Sequence, residues 1–222
     1  MTDAAGNMRD MLRGLQVFPT ELPQFDVKSA PGDPVTLFLS WLSAAVSDNI
    51  LGPHAMTLAT ADAAGRVSSR VLICKDVDDK GRWYFASDAE SVKGRDLAAN
   101  PSAAASFYWP QHGRQIRIAG TAASAGSQAS AADFLARPPA SRAAALAGPQ
   151  SEPLADPAEL EAAFRRSQAE VDANPALLAP GWTLYALTAD TVEFWQADHQ
   201  RRHLRLQYQR TADEWTTRLL WP

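Results

Sequence analysis

Glu193-Phe194-Trp195-Gln196-Ala197-Asp198-His199-Gln200-Arg201-Arg202-His203-Leu204-Arg205 is the stretch that decides the fold. Bulky residues from Thr191 to Gln196 suit a packed pleat and predict a strand. The chain breaks over Ala197–Gln200 and is expected to return as a strand from His203 to Arg210. Arg201, His203 and Arg205 stand at period two, so they are expected on one side of that strand. Three basic side chains on one face repel each other, and an anionic or electron-rich partner would stabilise them. A solvated edge strand that uses charge to block aggregation is the plainer alternative.

Short strands separated by turns are also expected before this stretch. They are Ala55–Thr60, Val67–Lys75, Arg82–Ala86, Ser106–Trp109, Arg114–Ala119 and Trp182–Thr188, with Trp215–Leu220 closing the chain. Asp62–Gly65, Asp76–Gly81 and Pro110–Gly113 read as turns. Asp33-Pro34 opens a helix that ends near Asn49, with Phe38, Trp41, Leu42, Ala45 and Val46 on one face. Further helices are expected at Ser91–Ala99, Ala129–Ala136 and Ser141–Leu146, and from Asp156 to about Val171, where Glu159 is placed to reach back to the cap. Many short strands with tight turns argue for a mainly β fold, an antiparallel barrel with helices packed outside. Residues 1–32 lack clear periodicity and are expected to form an N-terminal arm, mobile or ordered only against a partner subunit. Residues 33–222 are expected to form a single domain.

The 222 residues are enough for one core, and 46% hydrophobic with 21% charged is ordinary for a globular protein. A net charge of −4 argues against a general nucleic-acid surface. The single cysteine, Cys74, cannot form an internal disulfide and is expected as a small core residue in a reducing compartment. No apolar run is long enough to span a bilayer, and Met1–Asp10 has no signal pattern, so a cytoplasmic location is expected.

The pattern E-F-W-Q-x4-R-x-H-x-R, with Arg218, Leu219 and Pro222 at the C-terminus, resembles the C-terminal signature of the pyridoxamine 5′-phosphate oxidase family. The resemblance runs from about Asp33 to Pro222. It departs at Arg202, where the family has an aliphatic residue, and at Leu204, where it has an acid. It implies an FMN-binding split β-barrel of Greek-key-like antiparallel strands surrounded by helices. It also implies a homodimer with FMN at the subunit interface and O2 as electron acceptor.

By resemblance, Arg70 pairs with the FMN phosphate, Val71, Leu72 and Ile73 lie along the flavin, and Lys75 faces flavin and substrate. An arginine suits phosphate because its planar fork makes two parallel charge-assisted bonds. Read without the family, Arg70 and Lys75 are solvated strand ends. Phe85 and Ala86 are implied in the cofactor site, and Ser91 and Lys93 in a second phosphate-binding segment at a helix start. That segment has Val92 where the family has a basic or polar residue, and is one residue longer around Ala89-Glu90. Gln115 is implied at the isoalloxazine edge. Gln150, Ser151, Trp195 and Arg205 are implied to reach FMN from the other subunit, although Trp195 alone reads as core packing.

On the substrate side, Lys75, Arg137 and Ser141 stand where vitamin B6 enzymes hold the substrate phosphate, and Arg201 and His203 where they flank the substrate ring, as catalytic candidates. The family's tyrosine, four residues before Arg137, is Asp133, whose carboxylate would repel a phosphate dianion and neutralise Arg137. Leu12 stands nearest the family's N-terminal tyrosine. The phenazine-biosynthesis branch also lacks the first tyrosine. It shares the Phe18-Pro19 and Asp33-Pro34 arm and the run Gln150-Ser151-Glu152-Pro153-Leu154-Ala155-Asp156, whereas Lys75 is more typical of the B6 branch. The expected activity is therefore aromatisation of a reduced tricyclic phenazine carboxylic acid, with hydrogen peroxide as product. Oxidation of pyridoxine or pyridoxamine 5′-phosphate is the alternative. A flavin reductase or a non-catalytic flavin-binding protein is a third reading.

Overall fold

The longest strand, β7 (Trp182–Gln196), spans 15 residues in the computed structural model, which describes residues 4–212 and 214–222. Residues 1–3 of the expected arm lie outside the described residues. Two strands were expected where β7 runs unbroken. Ala189 and Thr191 face Gly120 and Ala119 of strand β6 (Arg114–Ser124), so Asp190 is the extra residue of a bulge that the pairing passes through.

β6 follows β7 along its whole length on one edge. On the other edge, β4 (Arg82–Asp88) pairs with the first half of β7 and β8 (Leu204–Thr211) with the second. The antiparallel sheet continues from β6 through β5 (Ser102–Trp109) and β1 (Ala55–Ala61) to the edge strand β2 (Val67–Ile73). Beyond β4 lies β3 (Asp76–Val77), a two-residue strand at the start of what the sequence predicts as a turn, and β9 (Glu214–Leu219) pairs with β8. The sheet curls into a half-barrel with helices around it.

Helix α2 (Pro34–Ser47) fills the barrel, and Asp33 caps it by accepting from the N–H groups of Val35 at 2.9 Å and Thr36 at 3.0 Å. Phe38 meets Trp83 at 5.7 Å and Phe107 at 5.0 Å, and Trp41 meets Phe194 at 5.2 Å, all edge to face. Each such pair contributes about 0.5–1.5 kcal/mol beyond its buried area. Val46, expected on the same face, is exposed. The other helices are α3 (Val92–Ala99), α4 (Ser127–Leu135), α5 (Pro139–Leu146) and α6 (Pro157–Ala173). Asp156 caps α6 through the N–H of Ala158 at 2.8 Å, while Glu159 meets the cap through its backbone N–H rather than its carboxylate.

The arm departs most from expectation. Ala4–Arg13 form a helix, α1. Residues 18–31 are ordered against their own chain: Phe18 packs on Trp195 at 5.8 Å, Phe25 on Trp41 at 5.0 Å, and the Tyr208 hydroxyl donates to the Pro31 carbonyl at 2.7 Å.

The bulge rests on Gly120, where a Cβ would overlap the Thr188 carbonyl oxygen. Gly120→Ala is expected to lower unfolding free energy in urea by about 1–3 kcal/mol. Gly148→Ala, at a position with open space around it, should stay within about 0.5 kcal/mol of the parent.

Candidate active site

Among the described residues strand β2 pairs only with β1, and its second edge carries no strand. Side chains alternate along it. Val71 and Ile73 lie on the outer face, 66% and 47% exposed, while Arg70 and Leu72 point to the other side. The run expected along a flavin therefore offers no single surface of four side chains. What Arg70 to Ile73 share is the open backbone edge.

Arg70 donates to Thr60 Oγ1 at 2.7 Å and Ser68 Oγ at 2.6 Å. Those hydroxyls in turn donate to Asp96 at 2.7 and 3.2 Å, so the carboxylate meets Arg70 only through them. Lys93 is buried and donates to Ser87 Oγ at 2.9 Å and Ser91 Oγ at 3.0 Å. Burial, and then the nearby Arg70 cation, hold the Lys93 pKa below its ordinary value. Burial also lowers that of Arg70, against the pull of Asp96. Gln150 accepts from Ser87 at 3.2 Å, and Ser151 accepts from the Val92 N–H at 3.4 Å. Both residues were expected to act across the subunit boundary, yet they touch the end of β4 and the start of α3 in their own chain.

Ser91 caps α3 by accepting from the Gly94 N–H at 3.3 Å. Two cations partnered by hydroxyls, beside a helix N-terminus, fit a phosphate monoester. Ser87 escaped the sequence reading, which gave Gly94, within the helix opening Ser91–Arg95, no role of its own. Glycine is required because a Cβ would overlap the Ala89 backbone, and that contact has no local sequence signal. Phe85, expected at the cofactor, has its side chain in the core, stacked at 5.3 Å on Tyr185, whereas Ala86 lines the cleft.

A cleft of about 880 Å³ leads from Ser87 and Gln150 past Leu72 to Arg137 and Trp182. At this end Asp133 accepts from Lys75 Nζ at 2.8 Å and from Trp182 Nε1 at 2.7 Å. The sequence set Asp133 against Arg137, but the structure pairs it with Lys75. Arg137 lies over the Trp182 ring at 4.0 Å, and its Nη1 is buried without a partner. Burial lowers the Arg137 pKa, and Asp133 opposes that shift. Ser141 is half-buried at the start of α5. Cys74 packs nearby at the core margin, its thiol pKa pushed up by burial to about 12.

The remaining candidates form another group. Gln115, Trp195 and Arg205 stand directly opposite one another across β6, β7 and β8, in one row on the outer sheet face. Arg205 makes a two-point ion pair with Glu193 at 2.8 and 3.1 Å, so its anionic partner is its own chain. Arg201, His203 and Arg205 do not project from one strand as expected. β8 begins at Leu204, and Arg201 sits in a turn with φ of +66°. The His203 ring packs 4.8 Å from Trp195. Trp195, Arg201 and His203 line a second cleft, of about 560 Å³, with Phe18 of the arm, and it shares no lining residue with the first.

Among the described residues no helix is long and apolar enough to cross a membrane, and no group of three or more His, Cys, Asp or Glu is placed to hold a metal.

Because its folded-state pKa is depressed, Lys93 weakens the FMN-free fold at neutral pH, and the penalty fades as pH rises toward the ordinary value of 10.5. Lys93→Met is therefore expected to raise the thermal midpoint of FMN-free protein and flatten the alkaline rise in its stability. It should weaken FMN binding by about 10- to 100-fold, as loss of a charge-assisted hydrogen bond implies. Fluorescence titration with FMN and pH-dependent melts check both.

The family description "Pyridoxamine 5′-phosphate oxidase" matches residues 42–170, and "Pyridoxine 5′-phosphate oxidase C-terminal dimerisation region" matches residues 182–222. The pyridoxine/pyridoxamine 5′-phosphate oxidase of Pseudomonas paraeruginosa is 42% identical over 200 residues, covering 87% of this chain and 91% of the relative. That of Paraburkholderia phymatum is 39% identical over 202 residues, covering 90% and 94%. Among solved structures, PhzG from Burkholderia lata in complex with tetrahydrophenazine-1-carboxylic acid superposes with a TM-score of 0.85 at 32% identity, covering 90% of this chain and 99% of that one.

Proposed function

The chain belongs to the pyridoxamine 5′-phosphate oxidase family, and from this premise we propose that it oxidises a reduced tricyclic phenazine carboxylic acid toward the aromatic phenazine, with O2 as acceptor and H2O2 as product. It is an oxidoreductase, its cofactor is FMN, and it forms a homodimer. When bound, FMN supplies the two-electron chemistry, taking hydride from the substrate and delivering the electrons to O2.

The observation that carries this reading is the Lys75–Asp133 pair at 2.8 Å. Lys75, Arg137 and Asp133 together carry one net positive charge. A carboxylate neutralises that charge. A phosphate dianion would leave the site negative, beside Asp133. Arg137 lines the cleft and is the cation that a carboxylate there would meet. The likeness to PhzG holding a tetrahydrophenazine carboxylic acid supports the same choice.

In this scheme Arg70, Ser91, Lys93, Gln150 and Ser151 hold the FMN phosphate, and the open edge of β2 and Ala86 lie beside the flavin. Gln115, Trp195 and Arg205 approach the FMN held by the other protomer, and the same approach brings Arg201 and His203 to the substrate. Residues 33–222 are the catalytic unit and residues 1–32 its arm. A lone, packed Cys74 fits a reducing cytoplasm.

Oxidation of pyridoxine 5′-phosphate is the second reading. It is favoured by 39% and 42% identity to two enzymes of that name and by retention of Lys75, Arg137 and Ser141.

Peroxide release under air from dihydrophenazine carboxylates and from pyridoxine 5′-phosphate separates the two. Faster turnover of pyridoxine 5′-phosphate would overturn the phenazine assignment. Bleaching by NADPH with no peroxide from either compound would make the protein a reductase. Asp133→Asn keeps an acceptor for Trp182 and frees Lys75. It is expected to raise kcat/KM for the phosphate substrate about tenfold or more, on the scale of a charge-assisted bond.

A further inference from the structure

The turn that carries Arg201 and His203 is organised by one residue, Asp198. Its Oδ1 accepts from the N–H groups of Gln200 at 2.7 Å and Arg202 at 3.2 Å, and its carbonyl accepts from the Arg201 N–H at 3.0 Å. These bonds hold Arg201 at a φ of +66°, which L side chains rarely adopt. The backbone N–H of Asp198 donates to His203 Nδ1 at 3.1 Å. A ring nitrogen that accepts a hydrogen bond bears no proton, so the neutral imidazole carries its proton on Nε2. Trp195 fixes the ring plane at 4.8 Å, and Nε2 makes no hydrogen bond among the described residues. His203 lines the cleft of about 560 Å³. The charged or titratable groups lining that cleft with it are Asp198, His199 and Arg201, Arg202 adjoins them in the turn, and the arm adds only Gln16, Val17, Phe18 and Thr20.

We propose that the Asp198 amide locks His203 as an Nε2–H donor, so that His203 gives a hydrogen bond to an acceptor atom of the substrate and does not take the substrate's proton. Asp198 is then a positioning residue that sets both substrate-facing side chains of the turn. This rests on the reading that the second cleft receives substrate in the dimer.

Long-range ¹H–¹⁵N correlation spectra of the FMN-loaded dimer test the tautomer without any turnover. His203 is identified by the signals lost in His203→Gln. Its Nδ1 is expected to be pyridine-like and its Nε2 pyrrole-like, and the reverse would overturn the proposal. Asp198→Ala should mix the two forms, and Asp198→Asn, which keeps an acceptor oxygen, should restore the single form.

Peroxide assays with dihydrophenazine carboxylates and pyridoxine 5′-phosphate supply the second arm. His203→Gln, which places an N–H near the Nε2 position, should lose clearly less activity than His203→Asn, which should fall about 10- to 100-fold, the scale of one donor bond. If His203 were a general base, both variants would fall by about 10²-fold or more, and activity would rise with pH through the imidazole range. Absence of turnover with every substrate would overturn the proposed function while the spectra still decide the tautomer.

Discussion

A strand must satisfy hydrogen-bonding neighbours on both edges, and β7 does so for 15 residues by changing partner midway. β4 covers one edge up to Thr188, and β8 covers the same edge from Thr191. The change occurs at the Asp190 bulge, which the missing side chain of Gly120 permits. One tryptophan stands at the start of β7 and another near its end. Trp182 gathers Asp133 and Arg137, and Trp195 gathers His203 and Phe18. The thirteen steps between them span about 40 Å along the strand at roughly 3.3 Å per residue. A ligand in one cleft of a chain does not reach the other, so the dimer is what can bring the two kinds of end together.

Charge pairing sorts the cations into classes that position in the sequence does not. Arg205 has Glu193, and Lys75 has Asp133. Both are neutralised within the fold. Among the described residues Lys93 has hydroxyls, Arg70 has hydroxyls and the Leu58 carbonyl, and Arg137 has an aromatic face and an unpartnered Nη1, with no carboxylate bonded to any of them. Desolvation of a cation without a carboxylate costs free energy that a bound anion recovers. The second class is therefore where a bound anion would recover the most free energy.

Features fixed by neighbours in sequence were legible. The Asp33 cap, the Asp62–Gly65 turn and the hairpin at Pro110–Gly113 follow from residue types within a few positions, and each forms where expected. Family likeness assigned Ser91, Lys93, Gln150 and Ser151 to one cofactor but set Gln150 and Ser151 across the subunit boundary; their contacts with Ser87 and Val92 of the same chain were missed, because nothing local links residues 93 and 150. The errors have the same cause. Ala189-Asp190 reads as a break unless Gly120 is known to lie opposite. The period-two reading of Arg201, His203 and Arg205 fails because Asp198 holds the chain in a turn until Leu204.

Asp133 is the sharpest case of a residue whose meaning depends on a distant partner. Taken with Arg137 four positions away, its carboxylate is a simple neutraliser of the substrate-binding arginine. In the fold α4 instead turns it toward Lys75 and the Trp182 indole, each within 2.8 Å, and Arg137 is left stacked on the ring of the same indole. A carboxylate so held cannot rotate away to admit a dianion without breaking its Lys75 pair and leaving the indole N–H unpaired. Selectivity of this kind comes from the cost of breaking what is already satisfied rather than from an added contact to the preferred guest. On the proposed reading, the residue at the helix position facing Lys75 would set the charge the pocket accepts, independently of the residues assigned to FMN.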